Sequence, residues 1–152
     1  MGAQYSFVTR WRVPASAERC WSELERALRG DVEWWPGVEV AEPAVRVEPG
    51  ARVAMRVRSP LGYRLRAALE ITRVDPGRSI EAASAGHLRG AGRVEIDETA
   101  DCADVWFHWD VETTRRWMNA TAPVLRPLFT AAHARVMARG ERGLRAAVAV
   151  AR

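Results

Sequence analysis

The 152-residue chain predicts an α+β fold in which one long C-terminal helix lies across a curved antiparallel sheet. Three observations predict it. The chain opens with an alternating strand followed at once by a helix-periodic segment. Between residues 50 and 113 runs a series of two-periodic segments divided by Pro/Gly turn signals. The last thirty-odd residues then switch to helical periodicity and keep it.

The elements follow in order. "QYSFVTRWRV" places Tyr5, Phe7, Thr9, Trp11 and Val13 on one face of a half-buried strand. "PASAERCWSELERAL" opens at Ser16 or Pro14-Ala15, repeats Cys20, Trp21, Leu24 and Leu28 at helical spacing, and stops at Gly30. "DVEWWPGV" is a second, short turn of helix or a loop, ended by Pro36-Gly37. Residues 38–47 are weakly extended. "ARVAMRVRS" sets Val53, Met55 and Val57 against Arg52, Arg56 and Arg58. "YRLRAALEITRV" sets Tyr63, Leu65, Ala67, Leu69 and Ile71 against Arg64, Arg66 and Glu70. "RSIEAASAGHL", "GRVEID" and "DVWFHWDVET" supply the remaining strands, with Asp75-Pro76-Gly77 and "DETADCAD" as turns. One apolar face per strand means a sheet wet on one side and covered on the other. The cover is the helix over 117–150, in which Leu125, Leu128 or Phe129, Ala132, Val136, Met137, Leu144 and Val148 recur mostly at spacings of three and four and Pro127 predicts a kink.

Composition narrows the function. The net charge is +4, yet all 23 basic residues are arginine, interleaved with 19 acids. Arginine's high pKa raises the isoelectric point by itself, and the pattern reads as a solvated face rather than a nucleic-acid patch. No apolar run is long enough to span a membrane, and the N-terminus lacks a signal-peptide core. The expectation is a cytoplasmic protein of one domain over residues 1–152 with no stable membrane insertion. Cys20 and Cys102 form no CxxC and no His/Cys cluster, so neither a disulfide framework nor a metal site is expected.

"GHLRGAGRVEI" carries Gly86, Gly90 and Gly92 in an otherwise alternating stretch. A phosphate cradle needs glycines between a strand and a helix N-terminus. Here strand-like residues stand on both sides, so the glycines are expected to bend the sheet.

The order of elements, with "YSFVTRWRVPASAERCWSEL", "WWPGV", "GHLRGAGRVEI", "VWFHWDVETTRRWM" and "APVLRPLFTAAHARVMARGERGL", resembles the START/Bet v 1-like superfamily, in particular bacterial proteins described as polyketide cyclase/dehydrase or lipid-transport-like. These stretches cover more than half of the chain, and their order and spacing carry the likeness, since none is a catalytic signature. The resemblance implies the helix-grip fold: about seven antiparallel strands wrapped around the long C-terminal helix, with two short helices after strand 1 and an apolar cavity between sheet and helix. It implies carriers of lipids, sterols and hormones, or aromatase/cyclases that fold a poly-β-keto chain, with no universal catalytic triad and usually no cofactor.

Strand parity gives the candidate lining of such a cavity: Phe7, Thr9, Trp11, Met55, Leu65, Leu69, Ser84, Phe107 and Trp109 from the sheet, and Phe129, His133, Val136 and Met137 from the helix. Taken singly, each reads first as plain core; the aromatics and methionine together point to a pocket. His133 lies four residues from both Phe129 and Met137 and shares their face. Either it hydrogen-bonds a ligand carbonyl or moves a proton, or it bridges to a sheet hydroxyl. His87, His108, Asp110, Glu112, Glu70 and Glu95 fall on the outer parity, and Cys20 reads as a small core residue. Trp34 and Trp35 form either the rim of a pocket entrance or an anchor for their loop. The leading function is binding of a hydrophobic small molecule. The alternatives are a cyclase/dehydratase with His133 as acid/base, and an interaction protein with a collapsed cavity.

Overall fold

The structure, a computed structural model, describes residues 2–150. Strand β1 (Gln4–Val13) is followed by helix α1 (Ala17–Leu28), then β2 (Val38–Glu42), β3 (Arg52–Arg58), β4 (Arg64–Asp75), β5 (Ser79–Gly86), β6 (Leu88–Glu98), β7 (Ala103–Thr113) and the long helix α2 (Arg116–Val150). All strand pairs are antiparallel, in the order β1-β7-β6-β5-β4-β3-β2. The two edges, β1 and β2, are joined through α1 and the loop after it, so this connection runs from one end of the sheet to the other.

Local chemistry explains where α1 begins and ends. Ser16 sits in extended backbone and its hydroxyl accepts from the Arg19 N–H at 3.2 Å, satisfying one orphan donor. At the other end Gly30 adopts φ +76°, its N–H donates to Ala27 O at 3.0 Å, and the Asp31 N–H donates to Arg26 O at 2.9 Å. This paired closure of the last turn needs the left-handed conformation that glycine takes without a Cβ clash.

Residues 31–37 form no second helix. Pro36 disfavours helical backbone at Trp35. The two indoles also stack on each other, with centroids 5.8 Å apart and planes 7° from parallel. Neighbours in a helix point about 100° apart, so an irregular loop is the only way to lay both rings on the same side. The weakly extended stretch after it pairs only as far as Glu42, where the register with β3 slips, and Pro43 follows.

The glycine-rich stretch is the body of β6, paired with β5 on one side and β7 on the other. Gly90 has φ +154°, and a Cβ there would run into the Asp110 carbonyl. Gly92 lies opposite Trp109, whose indole rests on the bare glycine backbone. These positions let the sheet bend, and the strand leads to no helix N-terminus.

Helix α2 runs unbroken through Pro123 and Pro127. Both prolines face solvent, where water can serve the carbonyls that lose an N–H partner. Its inward stripe divides the core in two. Trp11, Val13, Cys20, Leu24, Ile96, Val105, Leu144 and Val148 pack at the α1 end. Tyr5, Leu65, Val111, Met118 and Phe129 pack at the other end.

Candidate functional site: an apolar cavity between sheet and helix

Between the concave face of the sheet and α2 lies a cavity of about 340 Å³. That is at the lower end of the roughly 300–1,000 Å³ typical of small-molecule sites. The parity of the strands builds its walls. β1 contributes Tyr5, Phe7 and Thr9; β3 contributes Val53, Met55 and Val57; β4 contributes Leu65, Leu69 and Ile71; β7 contributes Phe107 and Trp109. Helix α2 supplies Met118, Phe129, His133, Val136 and Met137.

Of the residues assigned to this site from sequence, Met55, Leu65, Leu69, Phe107, Trp109, Phe129, His133 and Met137 stand in the cavity wall. Trp11 and Ser84 do not. Trp11 is 1% exposed and lies behind the wall. It is boxed in by Trp35 at 4.9 Å and Phe107 at 4.4 Å between ring centroids. Its strand parity is inward, but there the space under the sheet is already filled by α1 and the C-terminal half of α2. Ser84 is buried and donates its hydroxyl to Leu88 O at 2.7 Å, inside the β5–β6 hairpin. Its polar group is therefore consumed by the fold.

Trp34 and Trp35 are both in the wall, and both are pinned. The Trp34 indole N–H donates to Glu23 O at 3.3 Å, and that of Trp35 donates to Val136 O at 2.9 Å. The loop can come this close because α2 has glycines opposite it. A Cβ on Gly140 would sit 2.5 Å from the Trp35 ring, and one on Gly143 would overlap the Trp34 carbonyl. Sequence reading passed over these glycines, although two of them three apart in a helical stripe are a sign of close approach. It also left Tyr5 out of the lining, although Tyr5 shares the parity of Phe7.

The polar inventory of the wall is short. The His133 imidazole stacks on the Phe7 ring, with centroids 3.8 Å apart and planes 10° from parallel, and Phe7 in turn stacks on Tyr5 at 5.8 Å. No hydrogen bond to the imidazole is made among the described residues. Burial lowers its pKa from 6.5 to about 4, because desolvation penalises the charged form. The ring is therefore neutral near pH 7, with one donor and one acceptor nitrogen. The Tyr5 hydroxyl is buried with no hydrogen-bond partner among the described residues, and burial raises its pKa. The Arg126 guanidinium lies over the Tyr5 ring, 4.5 Å from its centroid, and donates to Gln4 O at 2.6 Å.

The outer face of the sheet is of a different kind. Arg52–Glu70, Arg56–Glu39, Arg89–Glu112 and Arg93–Glu95 pair along or across strands. His108 stands there, 3.9 Å from Glu95. His87 accepts the Arg66 N–H on Nδ1 at 2.9 Å at the β5–β6 turn. Arg10 and Arg12 both reach Asp104, and the hydrogen bond from Arg10, reinforced by Arg12, holds that carboxyl below its ordinary value. Among the described residues no three His, Cys, Asp or Glu side chains are grouped to hold a metal, and no helix is long and apolar enough to cross a membrane.

No family profile and no curated protein sequence matches the chain. Solved structures do. Protein TTHA0849 from Thermus thermophilus superposes with a TM-score of 0.75 at 19% identity, over 97% of this chain and 99% of that one. The Zhui aromatase/cyclase from Streptomyces sp. R1128 gives 0.70 at 15% identity, over 96% and 94%. A START superfamily protein from Mycobacterium smegmatis gives 0.68 at 15% identity, over 94% and 96%. The chain has the START/Bet v 1-like helix-grip fold. At these identities the likeness is one of fold, and function must be argued from the cavity.

Proposed function

We propose that this protein binds a hydrophobic small molecule in the cavity between sheet and α2 and acts as a cytoplasmic carrier or binding protein for it. The observation that carries this reading is the cavity itself. A space of about 340 Å³ is walled by aromatic and aliphatic side chains, with a neutral imidazole among them that has no hydrogen-bond partner among the described residues. Removing apolar ligand surface from water is worth about 25 cal/mol per Å², from which the costs of association are subtracted. The fold supports the reading, since structures of this shape include a START superfamily protein.

A cyclase or dehydratase using His133 as acid/base is the second reading, supported by the likeness to an aromatase/cyclase. The chemistry of the site weighs against it. With a pKa of about 4, only about one imidazole in a thousand is protonated at pH 7, so His133 is a poor proton donor. Among the described residues no carboxylate stands beside it to raise that value: burial is the cause of the shift.

Native mass spectrometry of freshly purified protein, followed by unfolding and analysis of the released small molecules, tests the choice. A discrete added mass lost on unfolding is expected. An isoprenoid or other unreacted lipid-like species supports a carrier, and a polyketide-derived aromatic supports the cyclase. His133→Ala weakens binding by no more than about ten-fold under the first reading, and in a turnover assay it abolishes turnover under the second.

A further inference from the structure

We propose that the ligand is an uncharged, ring-bearing molecule with a carbonyl or hydroxyl oxygen that meets His133, and that fatty-acid anions and other carboxylates are excluded. This rests on the cavity being a binding site and narrows what it binds.

The first argument is the absence of a counter-charge. An anion taken out of water needs a cation or several hydrogen-bond donors facing it. Among the described wall residues the groups besides His133 that can carry a positive charge are Arg93 and His108, and both are turned away: they pair on the outer parity of β6 and β7, where Glu95 lies 3.2 Å from Arg93 and 3.9 Å from His108. Arg126 is exposed and is engaged with the Tyr5 ring and the Gln4 carbonyl. The acid in the wall, Glu33, is on an exposed loop and would repel a carboxylate. A carboxylate could make its own counter-ion by protonating His133, but burial holds that imidazole near pKa 4. Charging it near pH 7.5 carries a penalty of about three thousand-fold.

The second argument is what the wall does offer. The neutral imidazole has one N–H and one lone pair, and no hydrogen bond among the described residues uses either. A ketone accepts from the N–H, and a hydroxyl can use either nitrogen. The Tyr5 hydroxyl, next in the same ring stack, is a second polar group with no hydrogen-bond partner among the described residues. The rest of the wall combines aliphatic side chains with flat rings. Trp34 and Trp35 stack at 5.8 Å on the loop side, and Tyr63 meets Phe129 edge to face at 5.7 Å. Surfaces of this kind favour planar ligands over a flexible alkyl chain, which loses more conformational freedom when held.

The test uses three naphthalenes of nearly equal size: 2-acetylnaphthalene, 2-ethylnaphthalene and 2-naphthoate. Their binding to the full chain near pH 7.5 is read by quenching of tryptophan fluorescence and by calorimetry. The expected order is ketone, then hydrocarbon weaker by about three- to ten-fold for one lost hydrogen bond, then carboxylate weaker than the ketone by at least ten-fold. In His133→Phe, which keeps a ring on Phe7 but removes both nitrogens, the ketone's advantage over the hydrocarbon disappears. A carboxylate that binds as tightly as the ketone overturns the proposal and leaves the binding site standing, and this comparison needs no variant. A ketone preference that survives His133→Phe overturns the role of His133. Binding of none of the three overturns the cavity reading, and the proposal with it.

Discussion

Lowering the pH from 7.5 to 5 should weaken the wild-type fold more than that of a His133→Phe variant. The cause is the buried imidazole, whose pKa falls from 6.5 to about 4 on folding. Between those two values the unfolded chain holds a proton on His133 that the folded chain does not. Stability is then complete above about 6.5, falls as the pH drops, and levels off below about 4. Integrated over the interval from about pH 7.5 to about pH 5, a shift of this size amounts to roughly 2 kcal/mol. His87, whose pKa burial also lowers, and the carboxylates titrate in both proteins and cancel in the difference. Urea unfolding of both proteins at each pH gives the double difference directly. The expected value is about 2 kcal/mol of extra acid sensitivity in the wild type. A difference that stays flat across the interval would show that His133 is solvated, and the neutral-imidazole argument would fall with it.

Three further outcomes are expected. Gly143→Ala places a methyl on the Trp34 carbonyl. The gain in helix propensity, about 1 kcal/mol, is outweighed by overpacking of about 1–3 kcal/mol against backbone that cannot rotate away, so thermal unfolding should move down by a few degrees. Trp35→Phe keeps a ring but loses the bond to Val136 O at 2.9 Å. It should cost about 1 kcal/mol in urea unfolding and speed ligand release in stopped-flow quenching, and an unchanged release rate would mean the loop does not gate the cavity. Cys20 is fully buried and its thiol is pushed up to about 11 by desolvation, whereas Cys102 is partly exposed. Mass spectrometry after brief iodoacetamide treatment should therefore find Cys102 labelled in the native protein and Cys20 labelled only after unfolding.

Much of this fold was legible because the chain is locally consistent. Alternation in "ARVAMRVRS" and "YRLRAALEITRV" states which side of each strand is wet, and the ladder Arg52↔Glu70 through Arg58↔Arg64 keeps that parity in register. The glycine stretch was legible for a negative reason: nothing after it could start a helix. The loop 31–37 was only half legible. Its composition marks a break, but its conformation is set by partners more than a hundred residues away, Val136 and Gly143, and no local pattern reports such partners.

The site was legible to the extent that inward parity implies access to the cavity, and Trp11 shows where that implication stops. Parity tells which face of the sheet a residue is on. It does not tell where along the strand the covering helices run out. Trp11 and Phe7 alternate on the same face of β1, yet one is sealed beneath α1 and the C-terminal half of α2 while the other is in the cavity wall. Four residues, at about 3.3 Å each, separate a packed core from a cavity wall. The same distinction gives His133 its character. Four residues C-terminal to it, Met137 touches both the cavity and the core cluster. One turn further towards the C-terminus, an imidazole would have to find a partner in packed core. At position 133 it faces a space, and no hydrogen bond among the described residues uses either nitrogen.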